Sequence, residues 1–203
     1  LRTLFAARLD PLDSWRAEAG AGQSDFDLNP GARRREGPIR QAAVLVPLVA
    51  RPEGLNVLLT RRSDALSSHA GQVAFPGGRL DPGEGPVEAA VREAHEEIGL
   101  DPALVEPVGL STPYETITRY VVTPVVAFVA PGFTVQPNPD EVAEVFETPF
   151  AFLMDPANHV RESFAVEGGE RWYYAIPWEG RRIWGATAGM LRALWGRLYG
   201  AGC

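Results

Sequence analysis

Three glutamates crowd one helical turn, Glu93, Glu96 and Glu97, with Arg92 directly before them. At about 100° per residue, Glu93 and Glu97 lie one turn apart beside an apolar stripe, and Glu96 falls further round. Like charges this close repel one another, and more strongly when dehydrated. A structural helix has no reason to gather that repulsion beside its core. A divalent cation removes it, and a set of hard oxygen ligands suits Mg²⁺ or Mn²⁺. The single cysteine, Cys203, and the three histidines form no cluster for a softer metal, and His95 points elsewhere on the helix. Cations held by carboxylates bridge diphosphate oxygens, neutralise developing charge and lower the pKa of an attacking water. Taken alone, Arg92-Glu93-x-x-Glu96-Glu97 also reads as a solvated helix face with an i,i+4 pair between Arg92 and Glu96.

The element that must position these groups is a helix predicted over Pro86–Ile98. Gly85 precedes it, Pro86 takes its first position, and Gly99 stands where a left-handed cap would stop it. Val87, Ala90, Val91, Ala94 and Ile98 form its apolar stripe. Upstream, Ala42–Val49 and Leu55–Thr60 read as buried strands joined by a hairpin at Arg51-Pro52-Glu53-Gly54. Further strands are predicted at Leu104–Ser111, Tyr120–Val129, Arg161–Val166 and Trp172–Ile176, and a second helix at Ala186–Leu198. This order predicts a mixed sheet covered by two main helices. Residues 1–40, with Gly20-Ala21-Gly22, Asn29-Pro30-Gly31 and the run Arg33-Arg34-Arg35, read as an irregular extension. Residues 41–203 read as the catalytic domain.

Composition excludes several function classes. The 203 residues are 45% hydrophobic and 22% charged, as expected of a folded globular chain. The formal charge of −7 opposes nucleic-acid binding. All 19 basic residues are Arg; without Lys there is no Walker-type phosphate loop and no Schiff-base chemistry. The longest uncharged apolar run, Ala42 to Ala50, contains Pro47 and is too short to span a bilayer. The first residues lack a secretory-signal layout and one cysteine cannot form an internal disulfide, so a cytoplasmic setting is expected.

The stretch from Gly78 through Glu84 to Arg92-Glu93-Ala94-His95-Glu96-Glu97-Ile98-Gly99-Leu100 resembles the Nudix box. Its pattern is Gly, five residues, Glu, seven residues, then Arg-Glu-aliphatic-x-Glu-Glu-x-Gly-aliphatic. All its specified positions match with Ala94 as the aliphatic one, and a chance match is on the order of one in a million. The resemblance implies the Nudix fold, an α/β (α+β) arrangement with a mixed β-sheet sandwiched between helices. It implies Glu93 and Glu97 as main metal ligands, Glu96 as a further ligand and Arg92 orienting a carboxylate. Glu84 would support the loop or reach the metal through water, and Gly77 and Gly78 would let the backbone approach the substrate.

Upstream, Leu58-Leu59-Thr60, Arg62-Ser63, Gly71 and Phe75-Pro76-Gly77-Gly78 are similar to the second signature of coenzyme A pyrophosphatases of the Nudix superfamily. Ser67 departs from it, standing where the signature has Arg. Residues 183–188 also resemble the closing helix of these enzymes. The implied reaction is hydrolysis of coenzyme A to 3′-phosphoadenosine 5′-phosphate and 4′-phosphopantetheine. Arg62, with Arg61 or His69, would meet a substrate phosphate. A general base is expected from the acidic loop 138–146: Glu141 first, Glu144 second, and Glu115 from another loop third. The competing readings are a Nudix hydrolase of ADP-ribose or a dinucleotide, and a nucleotide sensor that binds without cutting. Trp172, Trp178 and Trp184 are candidates for the core or for a homodimer contact.

Overall fold

The computed structural model describes residues 1–33 and 36–200; Arg34 and Arg35 of the basic run, and Cys203, lie outside the described residues. The chain runs α1 (Arg2–Arg8), β1 (Gln23–Ser24), β2 (Arg40–Arg51), β3 (Gly54–Arg62), β4 (Val73–Ala74), β5 (Gly77–Arg79) and α2 (Pro86–Ile98). It continues β6 (Val105–Leu110), β7 (Tyr114–Glu115), β8 (Tyr120–Val129), β9 (Val142–Pro149), α3 (Phe150–Leu153), β10 (Val160–Val166), β11 (Gly169–Trp178), β12 (Arg181–Trp184) and α4 (Ala186–Tyr199). Among the described residues nine strands form one mixed sheet, ordered β1-β7-β8-β2-β3-β4, with β5 also paired to β2, β6 to β8 and β9 to β3. At its centre β2 and β8 run parallel from Arg40↔Tyr120 to Val49↔Val129. Strands β10, β11 and β12 make a separate antiparallel sheet.

Alternation along β2 explains the layering. Ala43, Leu45 and Val49 point to one face, where they pack with Ala89, Ala90, Ala94 and Ile98 of α2. Ala42, Val46 and Leu48 point to the other, joining Met190, Leu191, Leu194 and Leu198 of α4. A strand covered on both faces reads as a continuous apolar run, which is why β2 and β8 stand out in the sequence. The α+β fold with a mixed sheet between helices is the observed architecture. No helix of the described residues is long and apolar enough to cross a membrane.

Three elements differ from the sequence expectation. The N-terminal segment read as irregular carries α1, which buries Phe5 edge-to-face against Phe128 at 5.8 Å and Phe150 at 5.7 Å. Seven residues hold too few periodic positions to announce a helix, and tertiary packing rather than propensity stabilises it. The acidic segment read as a loop becomes β9 from Val142 onward, paired with β3. Its alternation is obscured because Glu144 and Glu147 sit at half-buried positions and are neutralised by arginines. Ile183 and Trp184 belong to β12, and the closing helix begins only at Ala186.

The extension also reaches the second sheet. Asn29 is buried; its Nδ2 donates to the Trp172 carbonyl and its Oδ1 accepts from the Trp172 N–H, both at 2.8 Å. Trp178 packs against Phe152 at 4.6 Å, and Trp184 against Tyr173 at 5.3 Å.

His159, between α3 and β10, is buried with its Nε2 bonded to the Leu153 carbonyl at 2.7 Å. Its Nδ1 has no partner among the described residues, so a proton added there stays unsatisfied. Burial therefore holds the imidazole below its ordinary 6.5, although the Leu153 carbonyl opposes the shift. The contribution of the neutral ring to stability is complete above pH 6.5 and is lost as pH falls through the lower folded-state value. Between about pH 7.5 and about pH 5, the melting temperature of the wild type should fall further than that of His159→Gln, whose amide can serve the same carbonyl. Parallel melting curves would count against this origin of acid sensitivity.

Candidate active site

The first turn of α2 starts at Pro86, and its end is fixed by Gly99 at φ 67°, whose N–H donates to the carbonyls of Ala94 and His95. A left-handed cap of this kind is open to glycine without a Cβ clash. With both ends set, Ala89, Ala90, Ala94 and Ile98 are driven into the core and the glutamates are left along the edge.

Arg92 organises that edge. Its Nε and Nη2 donate to the two oxygens of Glu84, each at 2.9 Å. Nη1 donates to Glu93 at 3.0 Å and to Glu96 at 3.2 Å, and Nη2 also reaches the Arg79 carbonyl at 3.1 Å. Glu84 in turn accepts from the Asp81 N–H at 2.9 Å. The Arg92 guanidinium holds the Glu84 carboxyl below the ordinary carboxylate range, and Arg92 itself is held fully charged. Glu84 thus ties the loop before α2 to the helix.

Glu97 is the most buried of the edge carboxylates, 4% exposed. It accepts from the Gly77 N–H at 3.2 Å and lies 3.9 Å from the Arg62 guanidinium. Burial pushes its carboxyl up to about 7; the Gly77 amide and Arg62 oppose this, while Glu93 and Glu141 add to it. Burial raises Glu93 as well, against the pull of Arg92, with Glu96 and Glu141 adding to the rise. Glu93 therefore feels the charge of Glu96 and Glu141, and Glu97 that of Glu93 and Glu141.

Glu141 reaches this group from the loop before β9. Its N–H bonds to the Asn138 carbonyl at 3.0 Å, and Asn138 N–H bonds to the Glu97 carbonyl at 2.8 Å. The Ser63 N–H, donating to the Glu141 carbonyl at 2.8 Å, holds the loop to the end of β3. Glu144 is kept apart. It pairs with Arg181 at 2.5 Å and lies 3.9 Å from Arg61, which lowers its carboxyl pKa. Glu115 is buried on β7 beside Arg119 at 3.5 Å.

The neighbouring arginines diverge as well, at a register shift between Arg61 and Arg62. Arg62 faces a cleft of about 510 Å³, together with His69, Gln72, Gly77, Gly78 and Arg79. Arg61 is engaged by Asp64 at 2.9 Å and by Glu144, and does not line that cleft. His69 holds a left-handed φ of 59°, and its Nδ1 is 2.8 Å from Gln72 Oε1. Ser67 is exposed in the same loop.

The two glycines serve different ends. A Cβ on Gly77 would meet the Ala43 carbonyl oxygen at 2.4 Å, where β5 pairs with β2. A Cβ on Gly78 would meet the Glu93 carboxylate at 2.3 Å. The space left by Gly78 is therefore filled by a functional group.

Among the described residues no three acidic, His or Cys side chains close around a single ion-sized point. The donor chemistry nevertheless fits a hard divalent cation. The Glu93 and Glu97 side chains are largely buried, lie within reach of each other's field, and offer only oxygen. Charge of this kind is costly to keep without a counter-ion.

Residues 39–165 match the NUDIX domain family. The chain belongs to that family. It is 40% identical over 168 residues to the protein named "Uncharacterized Nudix hydrolase NudL" of Escherichia coli O1:K1 / APEC, covering 82% of this chain and 87% of that one. The NudL of Shigella boydii serotype 18 gives the same figures. Among solved structures, the Nudix hydrolase RenU of M. smegmatis is 30% identical with a TM-score of 0.50, covering 63% of this chain and 80% of that one. The protein is thus a Nudix hydrolase, a pyrophosphatase of phosphorus-containing anhydrides, from a family that acts on small nucleotide substrates with divalent cations.

Of the Nudix box, Gly78 and Arg79 line the cleft itself, and Glu97 lies 3.9 Å from the cleft residue Arg62. The small sheet brings Phe164, Arg171, Tyr173 and Trp184 to the cleft, and Tyr120 of β8 lines it beside Arg79; the sequence reading singled out none of these as site residues. Their only signal is alternation on short strands, and that does not say which face meets the cleft.

The glycine contacts separate fold from site. Gly77→Ala should lose about 1–3 kcal/mol of stability, because a backbone carbonyl cannot yield. Gly78→Ala should stay folded yet lose at least about tenfold in turnover, because the Glu93 carboxylate is the group that moves. Thermal unfolding and diphosphate hydrolysis, measured on both variants, check the pair. A folded Gly78→Ala enzyme with wild-type turnover would show that Glu93 need not occupy that space.

Proposed function

We propose that this Nudix hydrolase cleaves the diphosphate bond of coenzyme A, giving 3′-phosphoadenosine 5′-phosphate and 4′-phosphopantetheine. The observation that carries the reading is the course of residues 58–78. The segment similar to the coenzyme A pyrophosphatase signature leads into the cleft beside the box, bringing Arg62, His69, Gly77 and Gly78 to its lining. Ser67 departs from the signature, but the cleft has cations of its own in Arg62, Arg79 and Arg171.

Glu93 and Glu97 would hold the cation, Mg²⁺ or Mn²⁺, with Glu96 at the exposed end of the same edge. A cation bound there neutralises charge on the diphosphate oxygens. Arg92 keeps Glu93 and Glu96 oriented, and Glu84 keeps Arg92 in place. Arg62 meets a phosphate oxygen. Glu141 is assigned as the general base: it takes a proton from water as the water oxygen bonds to phosphorus. The P–O bond to the other phosphate then breaks, and that phosphate leaves with the electron pair. Its proximity to Glu93 and Glu97 favours Glu141 over Glu144, whose carboxylate is occupied by Arg181 and Arg61.

Incubation with coenzyme A, with and without Mg²⁺ or Mn²⁺, should yield both products by mass spectrometry only when the cation is present. Hydrolysis of ADP-ribose or a dinucleotide without cleavage of coenzyme A would overturn the substrate. Glu97→Gln should lower turnover by at least about a hundredfold. Glu141→Gln should lose a comparable amount while binding Mn²⁺ nearly as the wild type does. A folded Glu141→Gln enzyme with an unaltered pH–rate profile would move the base elsewhere.

A further inference from the structure

The sheet of β10, β11 and β12 turns one face toward the cleft. Phe164, Tyr173 and Trp184 form a row on it, with ring centroids 5.7 Å apart for the first pair and 5.3 Å for the second. Register explains the row: Phe164 lies opposite Arg171 and Trp184 opposite Ala175, while Arg171, Tyr173 and Ala175 alternate onto the same side of β11. All three rings and Arg171 line the 510 Å³ cleft. Phe164 is 44% exposed, more than a ring that only completes a core would be.

Arg171 is the unengaged cation of this wall. Among the described residues its one carboxylate neighbour is Asp25, 3.8 Å away and beyond hydrogen-bonding distance. Asp25 already accepts from the Tyr114 hydroxyl at 2.9 Å and from the Ile117 N–H at 2.8 Å. The guanidinium therefore keeps its donors for a ligand. Arg79, across the cleft, donates from Nε to the Tyr120 hydroxyl at 2.7 Å.

We propose that the row Phe164–Tyr173–Trp184 is the surface on which the substrate's nucleobase stacks, and that Arg171 takes a phosphate outside the scissile diphosphate. The identity of that phosphate, the 3′-phosphate, rests on the coenzyme A reading; the stacking surface does not. A substrate split by its diphosphate has two unlike halves here. The pantetheine half offers neither a planar ring nor a further charge, whereas the nucleotide half offers both. A wall that joins aromatic faces to an uncommitted guanidinium matches the nucleotide half.

Calorimetric titration of the full chain with 3′-phosphoadenosine 5′-phosphate and with AMP tests this without turnover. The wild type should prefer the bisphosphate. Phe164→Ala should weaken both nucleotides by about tenfold, and Phe164→Trp should restore them. Arg171→Gln should remove the preference while leaving AMP binding near the wild-type value. Wild-type nucleotide affinity in Phe164→Ala overturns the stacking surface; equal weakening of both nucleotides in Arg171→Gln overturns the phosphate contact. If the wild type ignores the bisphosphate but hydrolyses another nucleoside diphosphate derivative, the coenzyme A reading and the Arg171 contact fall together. The KM of Phe164→Ala for that substrate then decides the stacking surface: a rise of about tenfold supports it and a wild-type KM overturns it.

Discussion

The site depends on the saturation of one guanidinium. Arg92 carries five N–H groups, and its five hydrogen bonds go to both oxygens of Glu84, to Glu93, to Glu96 and to the Arg79 carbonyl. An isolated surface pair of this type contributes little, because two long side chains must be held still in high dielectric. Here one planar fork is shared by three carboxylates and a main-chain carbonyl, so each contact fixes the geometry for the next. The loop carrying Glu84, strand β5 and the middle of α2 become one rigid body. Lysine, with three donors on a point charge, cannot make that junction.

That junction is useful only because α2 lies flat on the sheet. The contact is made by small residues, Ala89, Ala90 and Ala94, over Ala43 and Ala127, all fully buried. Close approach lowers the helix edge onto β5, where the Gly77 N–H donates to Glu97 and Gly78 leaves room for Glu93. Charge is thereby brought where burial raises the carboxylate pKa values, and the Nudix family's use of divalent cations answers the same electrostatic problem.

Much of this was legible in the sequence, for physical reasons that differ by element. The bounds of α2 were readable because proline and glycine mark both ends and the apolar stripe has helical period. Strands β2 and β8 were readable because burial on both faces leaves an unbroken apolar run. Strand β9 was not, because its pairing with β3 joins residues distant in sequence and Glu144 and Glu147 break its apolar alternation. The helix α1 was not, because one phenylalanine in a tertiary contact outweighs its local sequence. The same limit applied to the site. Arg61 and Arg62 are chemically identical neighbours, and only the fold reveals that Arg62 lines the cleft while Asp64 and Glu144 engage Arg61. Glu141 and Glu144 are three residues apart, and only the fold reveals that arginines occupy the second.

The two walls of the cleft are held in different ways, and this bears on how substrate choice can vary within a constant chemistry. The wall of the box is locked from within by Arg92 and the Gly77 amide. The aromatic wall belongs to a separate sheet, tied down from outside by Asn29 on the Trp172 backbone. The Thr187 hydroxyl, bonded to the Val73 carbonyl at 3.1 Å, then fastens the start of α4 to the main sheet. None of these ties touches Glu93 or Glu97. Changes in the rings or in Arg171 can therefore reshape what the cleft accepts without disturbing the carboxylate edge, whereas any change at Arg92 disturbs both Glu84 and Glu93 at once. The residues outside the family match, 1–38 and 166–203, contribute Asn29, Arg171, Tyr173 and Trp184. Within the match, Arg62, His69, Arg79, Tyr120 and Phe164 line the same cleft, so its lining is drawn from both sides of the boundary of the family pattern.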